Sequence, residues 1–391
     1  MGTPVIVGAA RTAIGRSFKG TLTNVPTEVL ATTVLPEVVR RSGVPPELVD
    51  DVIFAASHYG GGDIARYAAV AAGMENVPGQ AVNRHCAGSL TALGNAAAQV
   101  GSGMERVVVA GGVQSLSTNP VMKWRVPGPE LTFAEGWMPP IHPETPDAPT
   151  GDMSITVGWN TAKAVGITRA EMDAWALRSH QRAIAAIDAG KFVDEIVPMK
   201  VTLLDGTVAA FAVDEFPRRD TTPERLAKLP VLHPEIEGFS ITAGNSSGIN
   251  DAAAAVVVTD GVFAATEGLT VLGSVRAWAT SAVAPRDTGL GAVAVIGKVL
   301  RRAGLEPGDV ALWEINEAFA SVPIAACREY GLDEDLVNFS GSGCSLGHPI
   351  AASGARMVTT LLYELRRRGG GIGVAAMCAG GGQGGAVVVE V

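Results

Sequence analysis

Short apolar runs alternate along the chain with segments in which apolar residues recur at helical spacing. The first run, PVIVGAARTAIG, predicts a strand followed by a turn. Further strands are expected at VVVAGG, ending at Gly112, and at VAAMCAGGG, ending at Gly382, while small-residue helical segments follow Cys86 and His348. This alternation predicts an α/β protein with mainly parallel sheets covered by helices and with functional residues on loops at strand ends.

The chain contains an internal repeat. The segment VRRSGVPPELVDDVIF, residues 39–54, aligns without gaps on LRRAGLEPGDVALWEI, residues 300–315. Each segment is typical of a helix end with an Arg-Arg pair, a glycine cap, a turn with proline and acidic residues, and then an apolar strand. Nearly the same offset carries Cys86 onto His348. We therefore expect two related halves that pack against each other.

The region between the halves has a different composition. Pro-rich and Trp-bearing stretches precede an amphipathic helix that is expected over residues 169–190. The apolar residues of this helix that recur at helical spacing are Ala174, Leu177, Ile184 and Ile187. The predicted division is an N-terminal half over 1–118, an inserted loop or substrate-binding region over 119–250, and a C-terminal half over 251–391.

Length, charge and cysteine content narrow the class of protein. The 391 residues exceed the ~250–300 at which a single core usually stops growing. The net charge of -9 lacks a clustered basic face, so we expect no nucleic-acid binding. Four cysteines without CxxC spacing indicate neither a disulfide scaffold nor a metal site. Without a visible export signal or a spanning apolar run, we expect a soluble cytoplasmic protein that does not bind membranes.

Cys86 is the first candidate for chemistry. It lies in AVNRHCAGSL, where an apolar strand gives way to a small-residue helix, so its sulfur is expected at a helix N-terminus. Unpaired amides and the helix dipole stabilise a thiolate at such a position. Taken alone, a buried structural cysteine is the more common explanation.

His348 occupies the corresponding position in the second half. It lies in SLGHPIAASG, at an expected helix start with Pro349 as the first helical residue. If the halves pack together, the imidazole faces Cys86 and can serve as its base. A histidine before a helix is more often a polar capping group, and the repeat lowers the weight of that alternative.

Two further candidates lie at predicted strand ends. Cys378, in AAMCAGGGQGG, ends a strand and opens a glycine-rich turn whose amides could stabilise an oxyanion. Asn316, in WEINEAFA, follows another strand, and a helix N-cap is its alternative role. A nucleophile, a base, a second thiol and an amide are thus predicted on one face of the two halves.

These motifs resemble those of the thiolases, the acyl-CoA acetyltransferase family, along essentially the whole chain. NRHCAGSL is similar to the nucleophile loop, AGGVQSLS to the strand and turn that follow, and TAGNSSGINDAAAA to the end of the loop domain. NEAF, GHP and CAGGGQG resemble the remaining active-site loops. The resemblance implies a duplicated αβαβα layered core of two related halves with an inserted loop domain.

The resemblance implies a ping-pong reaction through an acyl-cysteine. His348 takes the proton from Cys86, the thiolate attacks the keto carbon of a 3-oxoacyl-CoA, and Cys378 protonates the departing acetyl-CoA. CoA then resolves the acyl-enzyme, and in the reverse direction Cys378 deprotonates acetyl-CoA for condensation. By the same resemblance, one oxyanion hole consists of His348 with Asn316 through a water, and the other of the backbone N–H groups of Cys86 and Gly380.

The resemblance also implies contacts with CoA. Ser247 matches a family serine near the pantetheine, and Arg218 in DEFPRR matches a basic residue near the nucleotide, although Arg219 is adjacent. CoA is then a co-substrate, and we expect no permanently bound cofactor and no metal. We further expect a homodimer or homotetramer that acts on acyl-CoA and CoA in lipid degradation.

Several segments depart from the family pattern. Ala-Gly-Ser follows Cys86 where the family more often has Ala-Ser-Gly, and SLS replaces the usual SMS. The family's Met-Gly-x-Thr-Ala-Glu stretch appears as MSITVGWNTA from Met153, which leaves the acyl specificity open. The tryptophans of this region either line a wide pocket for a bulky, ring-derived acyl group or pack in the loop region, and they are Trp124, Trp137 and Trp159.

Two other classes of protein stay open. A decarboxylating ketoacyl synthase shares the duplicated architecture but has histidine in place of the second thiol, so Cys378 argues against it. A thiolase-like lipid- or acyl-CoA-binding protein without turnover is disfavoured by the joint presence of Cys86, Asn316 and His348 with that second thiol. Cys344, four residues before His348, is expected to be a small buried residue and not a redox partner.

Overall fold

The computed structural model describes residues 2–136 and 140–391, so Trp137 lies outside the described residues. The elements of the first part of the chain are β1 (Pro4–Thr12), β2 (Gly15–Arg16), α1 (Thr27–Ser42), β3 (Asp51–Ala55), α2 (Ile64–Ala71), β4 (Gly79–Val82), α3 (Gly88–Ser102) and β5 (Val107–Gln114). The predicted strand at the start of the chain is therefore confirmed.

The inserted region and the last part of the chain continue this alternation. The inserted region contains β6 (Met122–Val126), β7 (Thr132–Gly136), α4 (Asn160–Val165), α5 (Arg169–Asp188), β8 (Ile196–Val197), β9 (Met199–Thr202), β10 (Val208–Phe211) and α6 (Pro223–Ala227). The last part contains β11 (Asn250–Asp260), α7 (Gly261–Thr266), β12 (Gly273–Ala282), α8 (Gly291–Ala303), β13 (Leu312–Ile315), α9 (Ser321–Tyr330), α10 (Ser353–Arg367), β14 (Ile372–Ala379) and β15 (Gln383–Glu390).

One mixed sheet runs through both halves. Its main strand order is β13-β14-β15-β12-β1-β11-β5-β3-β4. Parallel pairs lie towards its two ends, where β3 contacts β4 and β5 and where β13 contacts β14. The expectation of mainly parallel sheets is wrong, because β11 pairs antiparallel with both β1 and β5, and the glycine turn after β14 folds β15 back as a hairpin.

The repeated segments adopt matching structures. Helices α1 and α8 each end on a left-handed glycine, Gly43 with φ 75° and Gly304 with φ 67°. A 3-10 turn follows in each half, Pro46–Leu48 and Pro307–Asp309, and leads into β3 or β13. A left-handed cap suits glycine because it has no Cβ to clash. The repeat therefore predicted helix end, turn and strand correctly in both halves.

Helices α3 and α10 connect the two halves at their N-terminal ends. The Ser89 hydroxyl accepts a hydrogen bond from the N–H of Ala355 at 3.0 Å. A Cβ at Gly354 would lie 2.6 Å from Cγ of Leu90, so the glycine permits this close approach. Leu90 and its neighbours on α3 share one buried apolar cluster with Leu361 and other residues of α10. The turns that precede these two helices, with Cys86 and His348, consequently lie at the same end of the helix pair.

Strand β11 lies at the predicted boundary between the inserted region and the C-terminal half. The third predicted segment begins at residue 251, one residue inside β11. This strand pairs along its length with β5 and β1, so within the shared sheet it lies among the strands of the first half. The next strand, β12, pairs with β15 of the second half.

The inserted region contains the expected helix, but a different face of it is buried. Helix α5 spans Arg169–Asp188 and begins with a capping box between Thr168 and Glu171. Ala174 is exposed, whereas Trp175 and Ser179 are buried. The predicted stripe is displaced, because Leu177, Ile184 and Ile187 are half-buried at the side of a face that buries Met172, Ala176 and Ala183. In the described ranges, no helix has the length and hydropathy needed to cross a bilayer.

Candidate active site

Cys86 lies in a short 3-10 turn, His85–Ala87, between β4 and α3. His85 has a left-handed backbone, φ 45°, which residues other than glycine rarely adopt. Its N–H donates to Oδ1 of Asn83 at 2.9 Å. The cysteine therefore sits directly after a strained residue and directly before a helix, as the strand-to-helix pattern predicted.

The thiol of Cys86 is held between two backbone amides. The N–H groups of Cys86 and Gly380 both interact with the sulfur and lower its pKa. Burial outweighs them and raises the pKa of Cys86 to about 11. Stabilisation of a thiolate at this position stays a prediction, because the two amides favour the thiolate while desolvation of the sulfur opposes it. A base must remove this proton.

His348 lies in a turn and not at the helix start itself. Helix α10 begins at Ser353, so the prediction of Pro349 as the first helical residue is wrong. Residues 349–352 form a turn in which the N–H groups of Ala352 and Ser353 donate to the carbonyl of Pro349, both at 2.9 Å. The N–H of His348 donates to Oδ1 of Asn250 at 3.0 Å, which fixes the backbone of the turn.

Ser353 sets the tautomer of His348. Its hydroxyl donates to the Pro349 carbonyl at 3.0 Å and lies 2.6 Å from Nδ1 of His348. The bond of the hydroxyl to the Pro349 carbonyl favours the tautomer in which Nδ1–H donates to Ser353 and Nε2 carries the lone pair. Burial, and then the charge of Arg356, lower the pKa of His348 to about 3. The ring is thus neutral and presents a basic nitrogen.

Asn316 lies beside this ring, directly after β13. Its Nδ2 is 3.3 Å from Nδ1 and 3.4 Å from Nε2 of His348. Its backbone N–H donates to the carbonyl of Ala376 at 3.0 Å, which ties it to the end of β14. The side-chain amide and the imidazole therefore present N–H donors to the same space once Nε2 carries a proton.

Cys378 lies at the end of β14, next to Cys86. Burial, and then the nearby sulfur of Cys86, raise the pKa of Cys378 well above its usual range. The glycine turn that follows is tightly enclosed, and a Cβ at Gly380 would lie 3.0 Å from Cδ1 of Ile141 and 3.4 Å from Cγ of His85. The N–H of Gly382 donates to Thr288 Oγ1 at 3.0 Å, so the turn is fixed on both sides.

A basic cleft of about 650 Å³ lies in the inserted region and contains Arg218. The guanidinium groups of Arg16 and Arg218 lie over the ring of Phe216, at 5.7 and 5.5 Å from its centroid. Arg219 instead pairs with the exposed carboxylate of Asp188, at 2.9 Å. Of the two adjacent arginines, Arg218 is therefore the one whose charge stays in the cleft.

Ser247 lies on the segment that joins this cleft to His348. Ala243 and Gly244 line the cleft, and the N–H of Ser247 donates to the carbonyl of Ala318 at 2.9 Å. Two residues later, Ile249 forms a parallel bridge with His348. The segment thus runs from the arginine-containing cleft to His348.

The structure brings together the candidate residues at strand ends and before helices, and it adds others that the sequence did not reveal. Ser353 contacts the His348 ring, Asn250 holds the His348 backbone, and Ile141 lies against Gly380. Asn250 stands in the quoted motif TAGNSSGINDAAAA, but nothing there indicated this role. Ser353 was visible in the quoted stretch SLGHPIAASG, but nothing in its spacing distinguished it from a helix residue. Cys344 is buried, as predicted, with its sulfur 3.7 Å from the carbonyl of Glu317.

Comparison with known proteins identifies the family of this chain. The family model described as the thiolase N-terminal domain matches residues 4–261, and that described as the thiolase C-terminal domain matches residues 269–391. The chain belongs to the thiolase family. The predicted α/β class with a thiolase-like layered core is thereby confirmed.

Individual relatives cover nearly the whole chain. An acetyl-CoA acetyltransferase of Cupriavidus necator is 38% identical, over 99% of this chain and 98% of its own length. A beta-ketoadipyl-CoA thiolase of Pseudomonas aeruginosa is 39% identical, over 98% of each chain. The crystal structure of human mitochondrial 3-ketoacyl-CoA thiolase superposes with a TM-score of 0.91 at 33% identity, covering 100% of this chain and 99% of its own.

Proposed function

We propose that this protein is an acyltransferase that cleaves 3-oxoacyl-CoA with CoA, giving acetyl-CoA and a shortened acyl-CoA, and that it also runs the reverse condensation. The observation that carries the proposal is the environment of Cys86. Its sulfur lies between the N–H groups of Cys86 and Gly380, with a second thiol, Cys378, beside it. A single thiol suffices for acyl transfer, whereas breaking a carbon–carbon bond also requires a proton donor for carbon.

The first half-reaction begins with proton transfer. Nε2 of His348 takes the proton from Cys86, and the thiolate adds to the keto carbon of the substrate. The new oxyanion lies between the N–H groups of Cys86 and Gly380, and loss of one such donor typically costs about 10²–10³ in rate. When the intermediate collapses, the bond between C2 and C3 breaks and the acyl group stays on Cys86.

Acetyl-CoA leaves as an enolate. Its oxygen accepts hydrogen bonds from protonated His348 and, through a water, from Asn316, while its carbon takes the proton of Cys378. The raised pKa of Cys378 keeps this thiol protonated until that step. A CoA thiol then attacks the acyl-cysteine and returns its proton to Cys378, and His348 returns its own proton to Cys86. All three side chains end as they began.

The cleft supports a binding site for the CoA nucleotide. Arg218 and Arg16 offer positive charge beside an aromatic ring, which suits a phosphorylated adenosine. We propose that the pantetheine follows the segment of Ser247 from this cleft towards His348. CoA is then a co-substrate, with no permanently bound cofactor, in a cytoplasmic enzyme of lipid degradation. The division at 118 and 250 also remains a proposal.

Trapping the acyl-enzyme tests the proposed function. Incubation with acetoacetyl-CoA should add an acetyl group to Cys86, seen by mass spectrometry of the peptide, and CoA should release it. The Cys86→Ser variant is the matched control and should carry no adduct. If neither an adduct nor CoA-dependent cleavage is found with any 3-oxoacyl-CoA, a binding protein without turnover becomes the better description.

Cys378→Ser separates the roles of the two thiols. We expect thiolysis and condensation to fall far more than acylation of Cys86 by acetyl-CoA, because only the first two transfer a proton to or from carbon. Rapid-quench measurement of acyl-enzyme formation and steady-state thiolysis give the two rates. An equal loss in both rates would contradict the division of labour.

We further propose a homodimer built on the free edge of β4. This strand ends the sheet, and Gln80 and Val82 direct their backbone groups towards β3, so those of Gly79 and Ala81 point outwards. Two copies can pair such an edge about a twofold axis. Exposed Tyr67 of the neighbouring helix would be covered in the same contact.

Ala81→Pro tests this interface, because proline removes an outward N–H without costing a bond to β3. We expect light scattering to show a dimer, or a tetramer built from it, for the parent and a shift to monomer for the variant. Ala134→Pro, on the exposed hairpin, is the control and should keep the parent's mass. A monomeric parent would overturn the proposal.

A further inference from the structure

A buried ion pair lies near His348, outside the groups that the proposed reaction uses. Nη1 of Arg356 donates to Oε2 of Glu314 at 3.0 Å, and the Ser342 hydroxyl donates to the same oxygen at 3.1 Å. Nη2 of Arg356 donates to the Ser342 hydroxyl at 2.9 Å, which closes a ring of three side chains. All three are buried. We call Glu314, Ser342 and Arg356 the Glu314 cluster.

The Glu314 cluster is joined to both partners of the His348 ring. Glu314 stands on β13 two residues before Asn316, and residues two apart along a strand share a face. Arg356 follows Ser353 by three residues in the first turn of α10, and residues three apart on a helix are neighbours. Asn316 and Ser353 both contact the imidazole. The charge of Arg356 accordingly reaches it, and after burial this charge is the second cause of the lowered pKa of His348.

Stability alone does not account for the pair of Glu314 and Arg356. Within the described residues, Oε1 of Glu314 and Nε of Arg356 have no hydrogen-bond partner. Buried polar atoms are usually satisfied, and apolar residues of similar volume are often as stabilising as a buried ion pair. The first turn of a helix is also where the helix dipole disfavours a cation. The place of Arg356 therefore suits an electrostatic role better than a structural one.

The net charge of the Glu314 cluster depends on the Glu314 carboxyl. Burial raises its pKa to about 7, the charge of Arg356 opposes this rise, and the charge of Glu317 adds to it. Across the described ranges, only Arg356 and Ser342 bond this carboxylate. The other titratable side chains on the elements packed against β13 are Cys344, Cys378, the exposed acids at 333–335 and the groups at 363–367 of α10. The cluster can thus gain a positive charge near neutral pH.

We propose that Glu314 controls the basicity of His348 through Arg356. While Glu314 is ionised, it compensates the charge of Arg356, and Nε2 of His348 can accept the proton of Cys86. When Glu314 takes up a proton from solvent, the cation of Arg356 is left uncompensated and opposes formation of the imidazolium. Glu314 and Arg356 act through His348, so they are positioning residues and not catalytic ones. The inference rests on the proposed function.

The pH dependence of acylation tests this control. Acylation of Cys86 by saturating acetyl-CoA is followed by rapid quench from pH 5.5 to 8.5, so that neither substrate binding nor proton transfer to carbon enters the rate. As the pH falls, we expect the rate to drop about tenfold, which corresponds to a change of one in the pKa of a base, with a midpoint near 7. The rate should then reach a plateau, because His348 itself stays unprotonated. A parent without this midpoint and plateau would overturn the proposal.

Glu314→Gln keeps the shape of the side chain and removes its charge. Its acylation rate should match the parent's acid plateau at every pH, about tenfold below the parent at pH 8.5. Adding Arg356→Gln removes the cation as well, and the double variant should regain most of the parent's rate at pH 8.5 while showing no midpoint near 7. A purely structural role predicts a further loss in the double variant, so absence of this regain would also contradict the proposal.

Glu195→Gln is the matched control. This buried carboxylate also pairs with an arginine, Arg11, at 3.0 Å, and it contacts α10 through the Thr360 hydroxyl at 3.0 Å. Its variant should keep the parent's midpoint and plateau. A midpoint that persists in Glu314→Gln, or that disappears in Glu195→Gln, would exclude Glu314 as the controlling group. A parent that acetyl-CoA acylates at no pH would instead count against the proposed function.

Discussion

At the scale of single residues, the site depends on burial as much as on hydrogen bonding. Cys86 contacts two amides, yet burial leaves its pKa at about 11. The same exclusion of water lowers the pKa of His348 to about 3. Both groups are therefore neutral in the free protein. A proton moves from one to the other only when the substrate's developing oxyanion makes the charged pair favourable.

Ser353 favours the tautomer of His348 in which Nε2 is basic. We therefore predict a defined loss of activity when its hydroxyl is removed. In Ser353→Ala the Nδ1 proton loses its acceptor, so the tautomer with the lone pair on Nε2 loses its advantage. We expect kcat to fall about 10–100-fold with KM little changed, less than the ~10²–10⁴ that a whole general base contributes. Steady-state thiolysis of acetoacetyl-CoA gives both constants.

The control for this variant is Ser345→Ala, which removes a buried hydroxyl from the same glycine-rich loop. That hydroxyl bonds Ser179 at 2.7 Å and has no contact with the imidazole. It should change stability and leave kcat near the parent value. A fall of kcat in Ser345→Ala equal to that in Ser353→Ala would show that loop stability, and not the tautomer, controls the rate.

The sequence identified groups that carry chemistry more readily than groups that orient them. Cys86, His348, Asn316 and Cys378 could be recognised because each stands at a strand end or before a helix in a distinctive motif. Ser353 could not, because its role depends on the turn at 349–352, where the sequence predicted a helix.

At the scale of elements, α5 shows why apolar periodicity can select the wrong face. Trp175 Nε1 and the Ser179 hydroxyl both donate to the carboxylate of Glu317, at 2.8 and 2.6 Å. Asn338 Nδ2 and the N–H of Cys344 donate to it as well, at 2.8 and 3.0 Å. A buried carboxylate with four donors holds α5 against the loop after Asn316. The same face also buries Met172, Ala176, Ala183 and Ala186, whereas Leu177, Ile184 and Ile187 are only half-buried.

Glu317→Gln should therefore destabilise this contact strongly. The amide replaces one acceptor oxygen by a donor that faces other donors, and leaving a buried group unsatisfied costs about 1–3 kcal/mol. We expect a fall of that size in the free energy of unfolding, measured by urea titration. Glu334→Gln removes a half-exposed partner of Arg178 and should change it by less than about 1 kcal/mol. Equal effects in the two variants would contradict a special role of Glu317.

The elements that the sequence predicted best are those in the repeat. Two copies of one pattern constrain each other, and both ended as helix, left-handed glycine, turn and strand. The place of β11 between β1 and β5 could not be read in the same way, because pairing depends on contacts far apart in sequence. The π-helix at Ser154–Trp159 was also unforeseen, although it coincides with the stretch from Met153 that departs from the family pattern.

At the scale of the whole molecule, several histidines are buried in neutral form. Burial lowers the pKa of His58 and His180 to about 4 and that of His348 to about 3. For His180 the charge of Arg218 adds to burial, while Asp220 opposes it. The buried acid Glu314 has the opposite tendency, since burial raises its pKa to about 7. Together these pKa shifts determine how the free energy of unfolding depends on pH.

We expect acid to destabilise the fold. The contribution of His180 to this loss of stability can be measured with a single variant. Its pKa lies below the unfolded value of about 6.5, so the unfolded chain binds the proton first as the pH falls. The folded state is therefore at its most stable with respect to this group above pH 6.5. As the pH falls from there to about 4, the free energy of unfolding decreases by ~1.4 kcal/mol per pH unit, which is about 2 kcal/mol by pH 5. Nδ1 of His180 accepts from the N–H of Arg218 at 3.2 Å, and the asparagine oxygen of His180→Asn can replace that acceptor. Unfolding free energies at pH 7.5 and 5.0 should differ by about 2 kcal/mol less in His180→Asn than in the parent. Parallel losses in both proteins would mean that folding does not lower the pKa of His180.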